Sequence, residues 1–358
     1  MNNNYLWVAI VLLLSGCRGQ SDTPLTDQRS LSPPQTVTGE VTQQLGNNVM
    51  AIFEDSKGIH WFGSWEDGLY SYDGNSFTHY TAAHGLPHDR VEDIQEDKSG
   101  NILVNTVGGV CRFDGKAFTK LEIVENGEWK LHLDDLWFKS LQFDGKVYRY
   151  DGEVLHHLAL PKCELDGEWT ETHQNYVNAC PIYSIYTDKN GYIWFGSAWF
   201  GACRYNGDRF DWICEEDVTE LHDGPSNGVR SIIEDKDGYF WFNSAYRYSV
   251  NQGVFTGKEH FYERLKSIGN LDGQPDSDFW EYMSIARDNN DVLWIATYGN
   301  GVWRYDGRSV TNFPVQSGGE DINVFCIYKD RHGDLWLGTH AHGAYKFDGK
   351  TFRRFMPK

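Results

Sequence analysis

One phrase recurs along this chain. His60–Gly74 reads HWFGSWEDGLYSYDG, Ile193–Gly207 reads IWFGSAWFGACRYNG, and Leu335–Gly349 reads LWLGTHAHGAYKFDG. Self-similarity at a fixed period restricts a chain to solenoids, arrays or closed rings. Aligned on the Trp, clear copies stand at Trp61, Trp194, Trp241, Trp294 and Trp336, while Leu103 and Trp137 fill the slot in two weaker units. Seven units between Asn47 and Pro357 average about 44 residues each, the period of a propeller blade.

The inside of one unit supports that period. VMAIFED, IHWFGSW, LYSYD and SFTHYT are four short β-rich runs, separated by SKG, EDG and GN. Gly- and Asn-containing turns between such runs indicate antiparallel hairpins. No unit carries a ten-residue helical pattern, which excludes βαβ architecture. The expected fold is all-β: a single seven-bladed β-propeller of four-stranded antiparallel blades over residues 47–358. The third unit, around 122–158, is degenerate. Its first strand is expected near Trp129–Leu133 but lacks the usual Asp-x-x-Gly turn, and an irregular insertion follows around 159–180.

The repeats, I-x-x-D-x-x-G-x-x-W-[FIL]-[GA]-[ST] followed by G-[LVA]-x-[RK]-[YF]-[DN]-G, resemble the two-component regulator propeller repeat. In that family such blades form the periplasmic sensor half of hybrid histidine kinases, often as two rings in tandem, and typically recognise glycan breakdown products. The resemblance therefore implies a ligand-binding sensor propeller. Here the expectation is one ring standing alone as a bacterial lipoprotein, without a kinase or DNA-binding module.

The N-terminus fits that setting. Residues 1–16 have an apolar run, Tyr5–Leu14, too short for a permanent bilayer span and suited to a signal peptide. Leu14-Ser15-Gly16-Cys17 resembles a lipobox, which implies cleavage before Cys17 and lipidation of its thiol. Residues 17–46 are rich in Ser, Thr, Pro, Gln and Asp and are expected to form a flexible tether. An exported chain can keep disulfides. Cys163 and Cys180 bracket the insertion and are expected to pair, with two free thiols as the alternative. Cys111 and Cys203 share one repeat position and are expected to be buried singly.

The net charge of −19 argues against nucleic acid as a partner. In a propeller, the turns from second to third strand share a face with the crossings from each fourth strand to the next blade. These segments vary along the chain, whereas the opposite turns are uniform, so binding residues are expected among them. Read in order they supply Trp65 and Glu66; His84, His88, Asp89 and Arg90; Trp199 and Phe200; Tyr246 and Arg247; Trp280, Glu281 and Tyr282; Tyr298 and Asn300; and His340 and His342. Aromatic platforms beside carboxylate, amide and guanidinium groups suit sugars, whose apolar faces stack while their hydroxyls are hydrogen-bonded. The competing expectation is that these rings only cap blade ends.

The pair His340 and His342 invites a metal, but no carboxylate stands at a fixed spacing, so neither metal nor cofactor is expected. No G-x-S-x-G elbow, phosphate loop or paired-acid motif is present, and no catalytic residue is assigned. The expected function is glycan or small-ligand recognition in the cell envelope, with membrane contact through the lipid anchor alone. An envelope scaffold is the first alternative and a propeller lyase or hydrolase the second.

Overall fold

The structure, a computed structural model, describes residues 36–142, 144–161, 163, 181–214, 218, 228–242, 246–253, 261–265 and 282–357. Among the described residues, seven blade sheets follow one another along the chain, with a two-stranded ribbon, Gln316–Ser317 and Glu320–Asp321, between the sixth and the seventh. Blade one pairs Val49–Glu54, His60–Ser64, Leu69–Tyr72 and Phe77–Tyr80 as an antiparallel meander. First strands of neighbouring blades approach one another, so they form the inner wall of the ring. Blade seven, Val324–Lys329 to Phe352–Arg354, closes onto blade one.

The repeated Asp and Trp form one device. In blade four, Asp188 Oδ1 accepts the backbone N–H groups of Asn190 and Tyr192, while its Oδ2 accepts Trp194 Nε1–H at 3.0 Å. The carboxylate thereby fastens its own turn to the buried indole. Asp55, Asp235, Asp288 and Asp330 receive the indole N–H of Trp61, Trp241, Trp294 and Trp336 in the same way. In blade two the slot holds Leu103, which has no donor, and Asn101 Nδ2 supplies the bond to Asp97 Oδ2 instead.

The Gly after the Trp lets blades meet. A Cβ on Gly196 would lie 2.3 Å from the carbonyl oxygen of Val229 in blade five, and one on Gly338 would lie 2.6 Å from that of Val49 in blade one. Cys111 and Cys203 are fully buried single thiols, as their shared position predicts. Burial pushes the Cys111 thiol up to about 12.

Two parts of the fold differ from expectation. In blade three, no strand forms at Trp129–Leu133. Leu136–Lys139 is the innermost strand, and Ile123–Glu125 instead pairs in parallel with Leu155–Ala159 at the outer edge. Without the tight turn, the chain has no hairpin leading into Leu136–Lys139. Trp129 fills the gap, stacking on Trp137 and meeting Phe195, Tyr205 and Phe210 edge-on. The second difference is at the start. Residues 36–46, expected as the end of a tether, lie along the ring: Glu40–Thr42 adds a fifth, antiparallel strand outside blade one.

Candidate functional site

The face that carries the variable turns is shaped by one backbone device. In the first strands of blades one, two, four, six and seven the register slips at the second residue, between Val49/Ala51, Val91/Asp93, Ile182/Ser184, Tyr282/Ser284 and Val324/Cys326. Such bulges leave one residue outside the ladder and redirect its side chain. The bulged residues are Met50, Glu92, Tyr183, Met283 and Phe325, all half-buried. They sit where the crossing strand joins the inner wall.

Around Phe325 the predicted residues converge. Its ring lies 6.3 Å from Trp65 with planes 5° apart, 6.0 Å from Tyr298 and 5.4 Å from His340. The Arg90 guanidinium covers Trp65 at 3.4 Å from the ring centroid. Glu92 fixes that guanidinium through Nε at 2.9 Å and Nη2 at 2.5 Å, and lies 3.7 Å from Lys139 Nζ. Tyr298, Phe325, Trp65 and Arg90 thus make a continuous arc across blades six, seven, one and two. Arg90 covers part of the Trp65 ring, so the open flat surface lies toward Tyr298, which is 42% exposed. Asn300 stands in the same turn as Tyr298. Its carbonyl accepts Trp303 Nε1–H and Asn312 Nδ2–H, which rigidifies that turn. Glu66 is exposed beside Trp65.

Other predicted residues have different jobs. His84 closes a short 3-10 turn: its Nδ1 accepts the Thr81 backbone N–H at 3.0 Å. His88 Nδ1 likewise accepts the Arg90 N–H at 2.9 Å. The His342 N–H donates to Thr339 Oγ1. These histidines and His340 form no three-ligand group among the described residues. Phe200 meets Trp212 edge-on within its own blade, and Trp199 beside it is half-buried. Tyr246 is covered by Arg264 at 4.8 Å.

Two assignments are corrected. Tyr282 is fully buried in the packing between blades, where desolvation raises its phenol well above the ordinary value, so it is no ligand contact. Arg247 lies within a strand opposite Trp241, and its guanidinium covers Tyr239 of the uniform turns at the other end of the blade. Trp280, Glu281, Cys17 and Cys180 lie outside the described residues, so the lipid anchor and the Cys163–Cys180 pair rest on sequence.

Phe325, Glu92, Tyr183 and the other bulged residues were not among the predicted contacts. Their signal is present in the sequence. One variable residue stands between an apolar residue and a small or short one in V-M-A, V-E-D, I-Y-S, Y-M-S and V-F-C. A separate concavity of about 670 Å³ lies at the outer edge between blades one and seven, lined in part by Gln43, Asn47, Asp67, Tyr70 and Arg354.

Comparison with known proteins agrees with the fold. Residues 43–66, 176–199, 223–246 and 318–341 match the family model described as two component regulator propeller. No curated protein matches the chain in sequence. Among solved structures, the extracellular domain of a one component system from B. thetaiotaomicron aligns at 21% identity and TM-score 0.56, covering 87% of this chain and 40% of that one. The chain thus spans well under half the length of that domain. A streptogramin B lyase aligns at 13% identity and TM-score 0.59, covering 86% of this chain and 97% of the other. The WD40 propeller domain of Doa1 aligns at 14% identity and TM-score 0.56, with coverages of 87% and 97%. At these identities the likeness is one of fold.

Proposed function

We propose that this chain, which carries two component regulator propeller repeats, is a ligand-recognition propeller of the cell envelope. It takes a small, flat, hydroxyl-bearing ligand of the carbohydrate class at its loop-rich face. The observation that carries the reading is the arc Tyr298–Phe325–Trp65–Arg90, in which three blades bring rigid rings together on the variable face. A sugar stacking on Tyr298 and Phe325 gains apolar contact, while Glu66 and His340 border the rings with polar groups. One structural neighbour is described as an extracellular domain, which supports an envelope setting. The lipobox supports attachment through Cys17.

Screening the purified protein against an oligosaccharide array at millimolar concentration, followed by calorimetry, tests the reading. Tyr298→Ala and Phe325→Ala should each weaken binding several-fold, since one aromatic contact is worth roughly 1 kcal/mol. A blank screen, together with capture of an envelope protein that depends on Tyr298, would replace the ligand reading with a scaffold. Cys17→Ser should move the protein from the membrane fraction to the soluble one. Intact mass of the membrane-extracted protein checks the lipid directly.

A further inference from the structure

Among the described residues, the seam between blades one and seven alone contains a group of three metal-type donors. Glu54 and Asp330 are each 2% exposed, and His60 stands between them. One ligand atom from each of the three lies within 4.8 Å of the other two. His60 Nε2 is buried without a hydrogen-bond partner and faces Asp330 Oδ2 at 3.5 Å.

The position of His60 is anomalous within the repeat. The residue before the Trp slot is Ile102, Leu136, Ile193, Phe240, Leu293 and Leu335 in the other six blades, each packing apolar surface. In blade one it is a histidine, lying 4.9 Å from the Trp336 ring. A buried imidazole nitrogen with no hydrogen-bond partner is costly. Glu54 places a second buried carboxylate beside Asp330, whose own oxygens already accept the His332 and Asp334 N–H groups and the Trp336 indole. A cation would compensate the imidazole and the paired charge together. Elsewhere the Glu of such seams meets a protein cation, as Lys189 Nζ meets Glu234 at 2.6 Å. Here Glu54 accepts the Arg331 backbone N–H and faces the exposed His332 imidazole at 3.9 Å.

We propose that Glu54, His60 and Asp330 bind a divalent transition-metal ion of the zinc class, with His332 available as a fourth ligand from the solvent side. One imidazole and two carboxylates are a donor set that such ions accept. Ligand distances of about 2.0–2.1 Å require the three side chains to draw together by about an ångström or more. Two ligands come from the first blade and one from the last, so the ion clips the ends of the ring together. Its binding energy then adds to the stability of the closed propeller.

The test uses the full chain, stripped with EDTA and dialysed, then titrated with Zn²⁺ by calorimetry and thermal unfolding. One equivalent should bind and raise the unfolding midpoint. His60→Leu should abolish that rise while leaving the metal-free midpoint unchanged or higher, because an aliphatic residue is usual at this position. Glu54→Gln, which keeps an acceptor for the Arg331 N–H, should weaken Zn²⁺ at least about tenfold. Should His60→Leu fail to fold, His60→Gln takes its place. No rise at saturating Zn²⁺, or an undiminished rise in both the His60 and Glu54 variants, would overturn the proposal.

Discussion

Asp235 is a single residue with three bonds: two backbone N–H groups of its turn on Oδ1 and the Trp241 indole on Oδ2. The indole is fully buried. Trp241→Phe therefore removes a donor from a buried carboxylate oxygen as well as some packing. The expected loss is roughly 1–3 kcal/mol from the unsatisfied acceptor alone, measured by urea unfolding. Asn101→Leu in blade two should cost less, because there the side-chain donor comes from Asn101 while Asp97 is only half-buried, so water can replace the lost donor. The Asp, Trp and Gly spacing announced these positions. The bond between them was not evident, since an apolar wedge and a hydrogen-bonded indole leave the same letter in the sequence.

At the scale of the element, the hairpins and the bulges follow different logic. The turn from third to fourth strand is fixed locally: Asp348 Oδ1 accepts the N–H groups of Lys350 and Thr351. These two bonds, Thr351 first, together with Arg353, lower the Asp348 carboxyl from 3.8 to about 2. Asp73, Asp114 and Asp306 are lowered by the same pair of backbone bonds. A carboxyl depressed in the folded state contributes stability above its unfolded pKa and loses it as pH falls. The turns should therefore hold the propeller fully above about pH 4 and weaken progressively toward about pH 2. Asp348→Asn should keep the turn, as Asn206 does in blade four, and flatten that acid slope in thermal unfolding scans. Contacts between elements are set by space. Gly338→Ala would force a Cβ to 2.6 Å from Val49 O and Cys326 Sγ, for an expected loss of roughly 1–3 kcal/mol by chemical denaturation.

At the scale of the molecule, closure joins residues nearly 300 positions apart without exchanging strands. Glu54 N–H donates to Tyr328 Oη, the Arg331 N–H to Glu54 Oε2, and the Gly343 N–H to Asn47 O. The seam is packed by Val49, Phe62 and Trp336. Glu40–Thr42 lies outside it on the edge of blade one. Removing residues up to 42 should therefore lower the unfolding midpoint only modestly. Deleting the last blade, from 318 onward, should leave no cooperative transition, because blades one and six would each lose a buried face. Calorimetry on the two truncations separates these outcomes.

The seven-fold repeat, the four-stranded meander of the regular blades and the face that carries variation were determined by the sequence itself, because turns and alternating strands are written in neighbouring residues; the fifth strand of blade one and the rearranged blade three were not. Trp65, Tyr298 and His340 could be placed on that face from their turns alone. That Phe325 joins them, that Arg90 covers Trp65, and that Tyr282 and Arg247 turn away into the blade packing were decided by the tertiary structure. Each depends on which way a bulged or strand residue points after neighbouring blades have packed, and that direction comes from contacts between residues far apart in the chain. The meeting of His60 with Asp330 has the same origin: it exists only because the ring closes.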